Sequence, residues 1–287
     1  MTEVSNDAPP EIAAALEQCG LRPRHVVLVS PLKGSKGRRR AYRVEVEGGR
    51  TVKARQVDTP EEARRLLALR AGLEEAFAPA LAQCDCVLLE EWIDGSPLTD
   101  LEAERWVEDG GALLGRLHAR ALAADVPPLC NTGRWVERGM SDVEILSGAG
   151  KLAAAEADAL RAEIRRRDPG VARTALGHLD FCAENMLIDT AGRLRVIDNE
   201  RMAIAPAKFD VARTFDRWPM SEAAWARFCR GYRSAAAVDD LESLGFWKIL
   251  AVLLGARVRF QYTPARLDAA LALLRRFAEG RGLSDPP

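Results

Sequence analysis

The sequence predicts an α+β chain with an N-terminal antiparallel sheet lobe containing one helix, followed by a mainly helical C-terminal lobe. Three observations carry that expectation. Residues 25–57 alternate, or run in β-branched blocks, as strands do. Five later segments space their apolar residues as helices do. Between the two patterns stands Asp94-Gly95-Ser96-Pro97, a run of turn-forming residues. The expected domains are therefore residues 1–93 and 94–287. At 287 residues and 48% hydrophobic composition, the chain is large enough to bury a continuous core.

In chain order, Val26 to Val29 is a mostly β-branched run, and Tyr42, Val44 and Val46 alternate with Arg43, Glu45 and Glu47. Gly48-Gly49 turns the chain into a return strand, Arg50 to Val57. Val52 and Ala54 share one face of it, and Thr51, Lys53 and Arg55 the other. A lysine thus faces away from the apolar side of the hairpin. Thr59-Pro60-Glu61-Glu62 then opens a helix, with Thr59 as cap, Pro60 at the first helical position and Glu62 completing a capping box. Residues 80–83 and 86–91 read as two more strands. Past the break, helical spacing covers residues 101–121, 151–167, 221–235, 241–260 and 264–280. The exception is residues 175–198, where Asn185 to Ile188 and Leu194 to Ile197 read as short strands joined by a turn at Asp189 to Gly192. Trp218, Trp225 and Trp247 are expected in the core.

Composition excludes several classes of function. Forty-one basic residues against forty-two acidic ones leave a net charge of −1, so no global field draws the chain to nucleic acid or to an anionic membrane. The longest apolar stretch, near Ile249 to Ala256, falls far short of a spanning helix, and the N-terminus does not read as a signal peptide. A cytoplasmic protein is expected. Six cysteines without C-x-x-C spacing read as reduced thiols, and three scattered histidines offer no zinc site. A metal, if used, is expected on oxygen ligands. The P-loop, the nucleophile elbow and the dinucleotide fingerprint are all missing.

The segment Gly177 to Asp189 holds His178, Asp180 and Asn185 in the order His-x-Asp-x-x-x-x-Asn, and Asp198 follows thirteen residues after the asparagine. With three His, nineteen Asp and four Asn in the chain, chance produces the first pattern with a probability of about 0.003. Phosphoryl transfer asks a protein for positioning and charge compensation. It needs an anion to orient the attacking hydroxyl and accept its proton, and hard oxygen ligands for magnesium. Asp180, Asn185 and Asp198 are residues of those types, carried on one loop and the strand pair beside it.

These residues resemble the aminoglycoside phosphotransferase and choline kinase-like family, small-molecule relatives of the protein kinases, over roughly residues 40–260. Leu89 to Gly95 resembles the family hinge, and Leu113 to His118 and Phe209 to Ala212 are further matches. The resemblance implies a bilobal protein-kinase-like fold with residues 1–93 as nucleotide-binding lobe and 94–287 as catalytic and substrate-binding lobe. It implies Asp180 as catalytic base, His178 as a brace of its loop, and Asn185 and Asp198 as ligands of Mg²⁺. Lys53 matches the strand lysine on the α- and β-phosphates, although a lysine in mid-hairpin is more simply a solvated side chain. Either Glu61 or Glu62 could pair with it, and Glu62 shares a helical stripe with Leu66, Leu69 and Leu73. The Glu91 carbonyl and Ile93 amide are expected on the adenine edge, with Leu187 and Ile197 beneath the ring. The segment Pro31 to Arg40 carries five cations and no acid, and the backbone near Gly34, Ser35 and Gly37 takes the place of the glycine-rich loop.

Two departures from the family pattern stand out: Leu179 replaces the glycine common between the histidine and the aspartate, and Asn199 replaces the aromatic common after the second aspartate. Asp210 is expected to tie loop to helix. The expected activity is ATP-dependent phosphorylation of a hydroxyl on a small molecule, an aminoglycoside-like antibiotic or a hydroxylated metabolite, with GTP left open as donor. A catalytically weak nucleotide-binding regulator and a protein kinase are the rival readings. Monomer and weak dimer both remain open. Residues 1–93 balance fourteen acids with fourteen bases, which leaves only −1 for residues 94–287, so no strong trap for a polycation is visible.

Overall fold

The structure is a computed structural model that describes residues 4–5, 8–31, 40–100 and 103–283. In chain order the elements begin with β1 (Val4–Ser5), α1 (Pro10–Gln18), β2 (Pro23–Pro31), β3 (Arg40–Val46), β4 (Thr51–Gln56) and α2 (Pro60–Arg70). Then come β5 (Ala80–Cys84), β6 (Val87–Glu91), β7 (Gly95–Pro97), α3 (Val107–Ala119), β8 (Leu129–Asn131), α4 (Gly133–Gly148) and α5 (Ala154–Arg167). The chain continues through β9 (Val171–Gly177), β10 (Met186–Asp189), β11 (Leu194–Val196), β12 (Ala203–Pro206), α6 (Ala207–Arg217), α7 (Glu222–Ala235), α8 (Gly245–Tyr262) and α9 (Leu267–Ala278). These form two compact units, Met1–Pro97 with Met186–Glu200, and Leu98–Asn185 with Arg201–Pro287.

The first unit is built on a six-stranded antiparallel sheet in the order β1-β2-β3-β4-β6-β5. Gly48 and Gly49 make the β3–β4 turn at φ +85° and +80°, a left-handed pair that glycine adopts without steric cost. Side chains alternate across a strand, and one face packs Val44, Val52, Ala54 and Leu89 against Ile12 and Leu16 of α1. The other face carries Lys53, Arg55 and Glu90, with Lys53 directly opposite Glu90 across β4 and β6. That face is covered rather than solvated: Arg55 and Glu90 are each only 1% exposed. Thr59 caps α2 as expected, accepting from the Glu62 amide at 3.1 Å.

The strands read from sequence at residues 185–197 form β10 and β11, and they belong to the first unit rather than to the helical part. The turn-forming run at 94–97 supplies their third strand, β7, paired as Ile188 with Ser96 and Leu187 with Pro97. A Cβ at Gly95 would lie 2.2 Å from the Ile188 carbonyl oxygen, so only glycine permits this approach.

The second unit is mainly helical, with a small sheet in the order β12-β9-β8. Its core gathers around α8, where residues 245–256 are all buried, as a helix apolar on all sides requires. Trp218, Trp225 and Trp247 are buried. Helices α3 and α7 meet through glycines: a Cβ on Gly111 would fall 2.0 Å from the Phe228 carbonyl oxygen, and one on Gly231 would fall 1.9 Å from that of Glu108. Among the described residues no helix is long and apolar enough to cross a membrane.

Candidate active site

In the first unit, Lys53 Nζ donates to the Ile197 carbonyl at 2.9 Å, which fixes the lysine against the end of the β10–β11 hairpin. Burial, followed by the adjacent Arg55, lowers the Lys53 pKa to about 8 against the opposing pull of Glu90, Asp198 and Glu200. Arg55 sits among acceptors, with Nη1 donating to Asn199 Oδ1 at 2.6 Å and Nη2 3.6 Å from Glu90 Oε2. Its Nη1 also lies 3.9 Å from Glu200 Oε1. Glu90 is bound from its other side by Arg70, at the end of α2. Burial would push the Glu90 carboxyl up, but Arg55, Arg70 and Lys53 together bring it down to about 2.

The carboxylate that faces Lys53 across the sheet is therefore Glu90. Glu62 caps α2 instead, its Oε2 accepting from the Asp58 amide at 3.2 Å. Glu61 forms an exposed pair with Arg64. In the segment expected on the adenine edge, β6 ends on Glu91, whose amide donates to the Pro79 carbonyl at 2.9 Å while its carboxylate accepts from Arg50 at 3.0 Å. Ile93 follows in the irregular stretch before β7 and is partly buried. Leu187 is 7% exposed and lies between β7 and β11. Gly34, Ser35 and Gly37 lie outside the described residues.

Asp198 ends the hairpin and is partly buried, with Oδ1 3.5 Å from the Glu200 amide. It enters no ion pair among the described residues, so its oxygens remain available to a cation. That distinguishes it sharply from Asp180.

In the second unit, β9 delivers the loop that bears His178 and Asp180, and a 3-10 turn at Ala183–Asn185 closes it. Asp210, at the start of α6, pins the loop by accepting from the His178 amide at 2.6 Å and the Leu179 amide at 2.7 Å. Leu179 takes φ +63°, the left-handed conformation that a glycine would occupy without strain. The bracing seen at His178 runs through its main chain, while its buried ring packs edge-on against Phe181 at 5.7 Å. A second buried layer supports Asp210. His118 Nε2 lies 3.2 Å from Asp210 Oδ2, His118 Nδ1 lies 2.8 Å from the Tyr232 hydroxyl, and that hydroxyl donates to Asp240 at 3.1 Å.

Asn185 Nδ2 donates to the Asp180 carbonyl at 2.8 Å and lies 3.4 Å from Asp180 Oδ2. With its amide nitrogen so committed, Asn185 has its amide oxygen to offer a metal. That oxygen is a hard donor of the kind Mg²⁺ takes, and in the first unit the Asp198 carboxylate is another.

Asp180 is surrounded by arginines. Arg217 Nε donates to Oδ1 at 2.9 Å, Arg213 Nη2 stands 3.5 Å from the same oxygen, and Arg201 Nε is 3.9 Å from Oδ2. Burial favours the protonated acid, but Arg217, Arg201, Arg213 and His178 outweigh it and hold the carboxyl below the ordinary aspartate range. Asp180 opens onto a cleft of about 780 Å³ whose walls come from α6, α8 and α9. That volume suits a small organic molecule.

The sequence reading missed the buried cations. On α6, Asp210, Arg213 and Arg217 recur at helical spacing, a polar stripe that marks an inward face. Arg55 lies two residues from Lys53 and so shares its face of the strand.

The first unit thus carries a lysine anchored on an antiparallel sheet, and the second a pinned aspartate loop that holds an asparagine. Residues 31–247 match the model of the phosphotransferase enzyme family, and the chain belongs to that family. No curated protein matches it in sequence. Among solved structures it resembles macrolide 2′-phosphotransferase MphH from Brachybacterium faecium, at 15% identity and TM-score 0.62 over 92% of this chain and 95% of that one. It also resembles aminoglycoside phosphotransferase APH(2″)-Ib bound to ADP, at 17% identity and TM-score 0.60 over 95% and 99%. A choline kinase from Cryptosporidium parvum matches at 15% identity and TM-score 0.58 over 89% and 88%. At these identities the shared feature is the fold.

Proposed function

We propose that the enzyme transfers the γ-phosphoryl group of ATP to a hydroxyl of a small molecule. The observation that carries this is Asp180, held by Asn185 and Arg217 at the mouth of a cleft sized for such a molecule. Asp180 orients the acceptor hydroxyl and takes its proton as the oxygen bonds to the γ-phosphorus. The bond from that phosphorus to the bridging oxygen breaks, and ADP leaves. A carboxylate of lowered basicity suits a loose transition state, in which the nucleophile bonds weakly until late. Lys53 offsets charge on the α- and β-phosphates. Glu91 and Ile93 present backbone groups to the adenine edge, and Leu187 and Ile197 line its floor. Asn185 and Asp198 would each offer an oxygen to Mg²⁺, which would neutralise phosphate charge.

Incubation with ATP and Mg²⁺ over a broad panel of hydroxylated metabolites and antibiotics, following ADP release and product mass, tests this reading. At least one compound should gain a phosphoryl group in the native enzyme and not in Asp180→Asn. A panel without any phosphorylated product would reject it.

A further inference from the structure

We propose that the cleft beside Asp180 selects an acceptor carrying its own negative charge, a hydroxylated molecule bearing a carboxylate or a phosphate. This rests on the reading of that cleft as the acceptor site. Its lining holds five arginines against three carboxylates, without lysine or histidine. Each carboxylate is already met by at least two of the arginines. Asp216 is bound by Arg213 at 2.7 Å and Arg259 at 2.9 Å, and Glu184 by Arg217 at 3.2 Å and Arg266 at 3.1 Å. Asp180 has its three guanidinium neighbours. A polycation entering the cleft would find every acid neutralised and a surplus of like charge.

An anion finds the opposite. Arg201 and Arg266 keep 56% and 67% of their side-chain surface exposed; Arg201 stands 3.9 Å from Asp180, and Arg266 donates one hydrogen bond to the half-exposed Glu184 at 3.1 Å, so each guanidinium has further N–H donors to offer. They extend from different elements, one before β12 and the other in the 3-10 turn at Pro264–Arg266 that leads into α9. Guanidinium groups bind carboxylate and phosphate through paired N–H donors, so this pair can fix the charged end of a ligand. Phe215, Val258 and Tyr262 supply an apolar wall for its carbon body. The hydroxyl then falls to Asp180.

The test separates this inference from the kinase reading by measuring binding and turnover independently on the full chain. Calorimetry compares hydroxy acids, sugar phosphates, their neutral esters and a polycationic aminoglycoside. At least one anion should bind more tightly than its neutral ester, and R201Q and R266Q should each weaken it by about tenfold. Preference among the hydroxy acids or among the sugar phosphates decides which anionic group is recognised. With ATP and Mg²⁺ the same substitutions should raise KM for the anionic acceptor more than they lower kcat. Arginine-dependent anion binding without any phosphoryl transfer supports anion selection by the cleft and rejects the reading of that cleft as an acceptor site. Equal or tighter binding of neutral or polycationic compounds, or their preferred phosphorylation, overturns the inference and leaves the kinase reading intact.

Discussion

Arg55 Nη1 donates to Asn199 Oδ1 at 2.6 Å, and both residues are sealed from solvent at 1% and 2% exposure. The hydrogen bond explains why an amide rather than an aromatic follows Asp198: it receives a guanidinium that shares the strand face of Lys53. Removing either partner leaves a buried polar group unsatisfied, so Arg55→Met should cost about 2–4 kcal/mol. In a double-mutant cycle with Asn199→Leu, followed by urea denaturation, the coupling should be at least about 1 kcal/mol. Additive losses would show that the two side chains do not support one another.

Glu90 makes stability depend on pH in a defined direction. Its carboxyl titrates at about 2 in the folded chain, against about 4.3 for an unperturbed glutamate. A depressed folded pKa contributes stability that is complete above the unfolded value and lost as pH falls through the folded one. The difference in unfolding free energy between the native enzyme and Glu90→Gln should therefore shrink by a few kcal/mol between about pH 5 and pH 2. Denaturation curves showing a constant difference across that range would remove Glu90 from the account of acid stability.

Asp198 differs from Asp180 in making no ion pair among the described residues, which suits a cation ligand. Asp198→Ala should abolish the gain in nucleotide affinity that Mg²⁺ confers, as read by titration calorimetry with and without the ion. An unchanged response to Mg²⁺ would take Asp198 out of the metal site.

Strands β2 to β6 were legible because alternation and the Gly48-Gly49 turn are local signals, and Thr59 announced α2 in the same way; β1 and β7, of two and three residues, are too short to show a pattern. Helices α1, α4 and α6 were not anticipated. Helix α4 carries three glycines, at 133, 139 and 148, that dilute its pattern, and the Leu250 side chain packs into the space beside Gly139. The His178, Asp180, Asn185 and Asp198 set stood out by spacing alone. Glu90 could not be found in that way, because its place opposite Lys53 depends on strand register. Arg213 and Arg217 beside Asp180 depend likewise on how α6 is docked, and net charge hides them: near neutrality overall is compatible with a cationic cleft.

Eleven residues separate Asp198 from Asp210, and they are spent on β12 and the entry to α6. Little chain remains to dock an extended peptide, as the activation segment of a protein kinase does. Radiolabelled ATP should leave generic protein substrates unlabelled. Efficient labelling of serine or threonine that disappears in Asp180→Asn would identify a protein kinase instead.

The role of Asp180 is settled most directly by single-turnover transfer to an identified acceptor, comparing the native enzyme with Asp180→Asn after confirming that both melt cooperatively. The substitution keeps the shape of the side chain but removes the group that accepts the proton. The transfer rate should fall by about 10² to 10⁴, with nucleotide affinity nearly unchanged. A variant that transfers phosphate at close to the native rate would contradict the role assigned to Asp180.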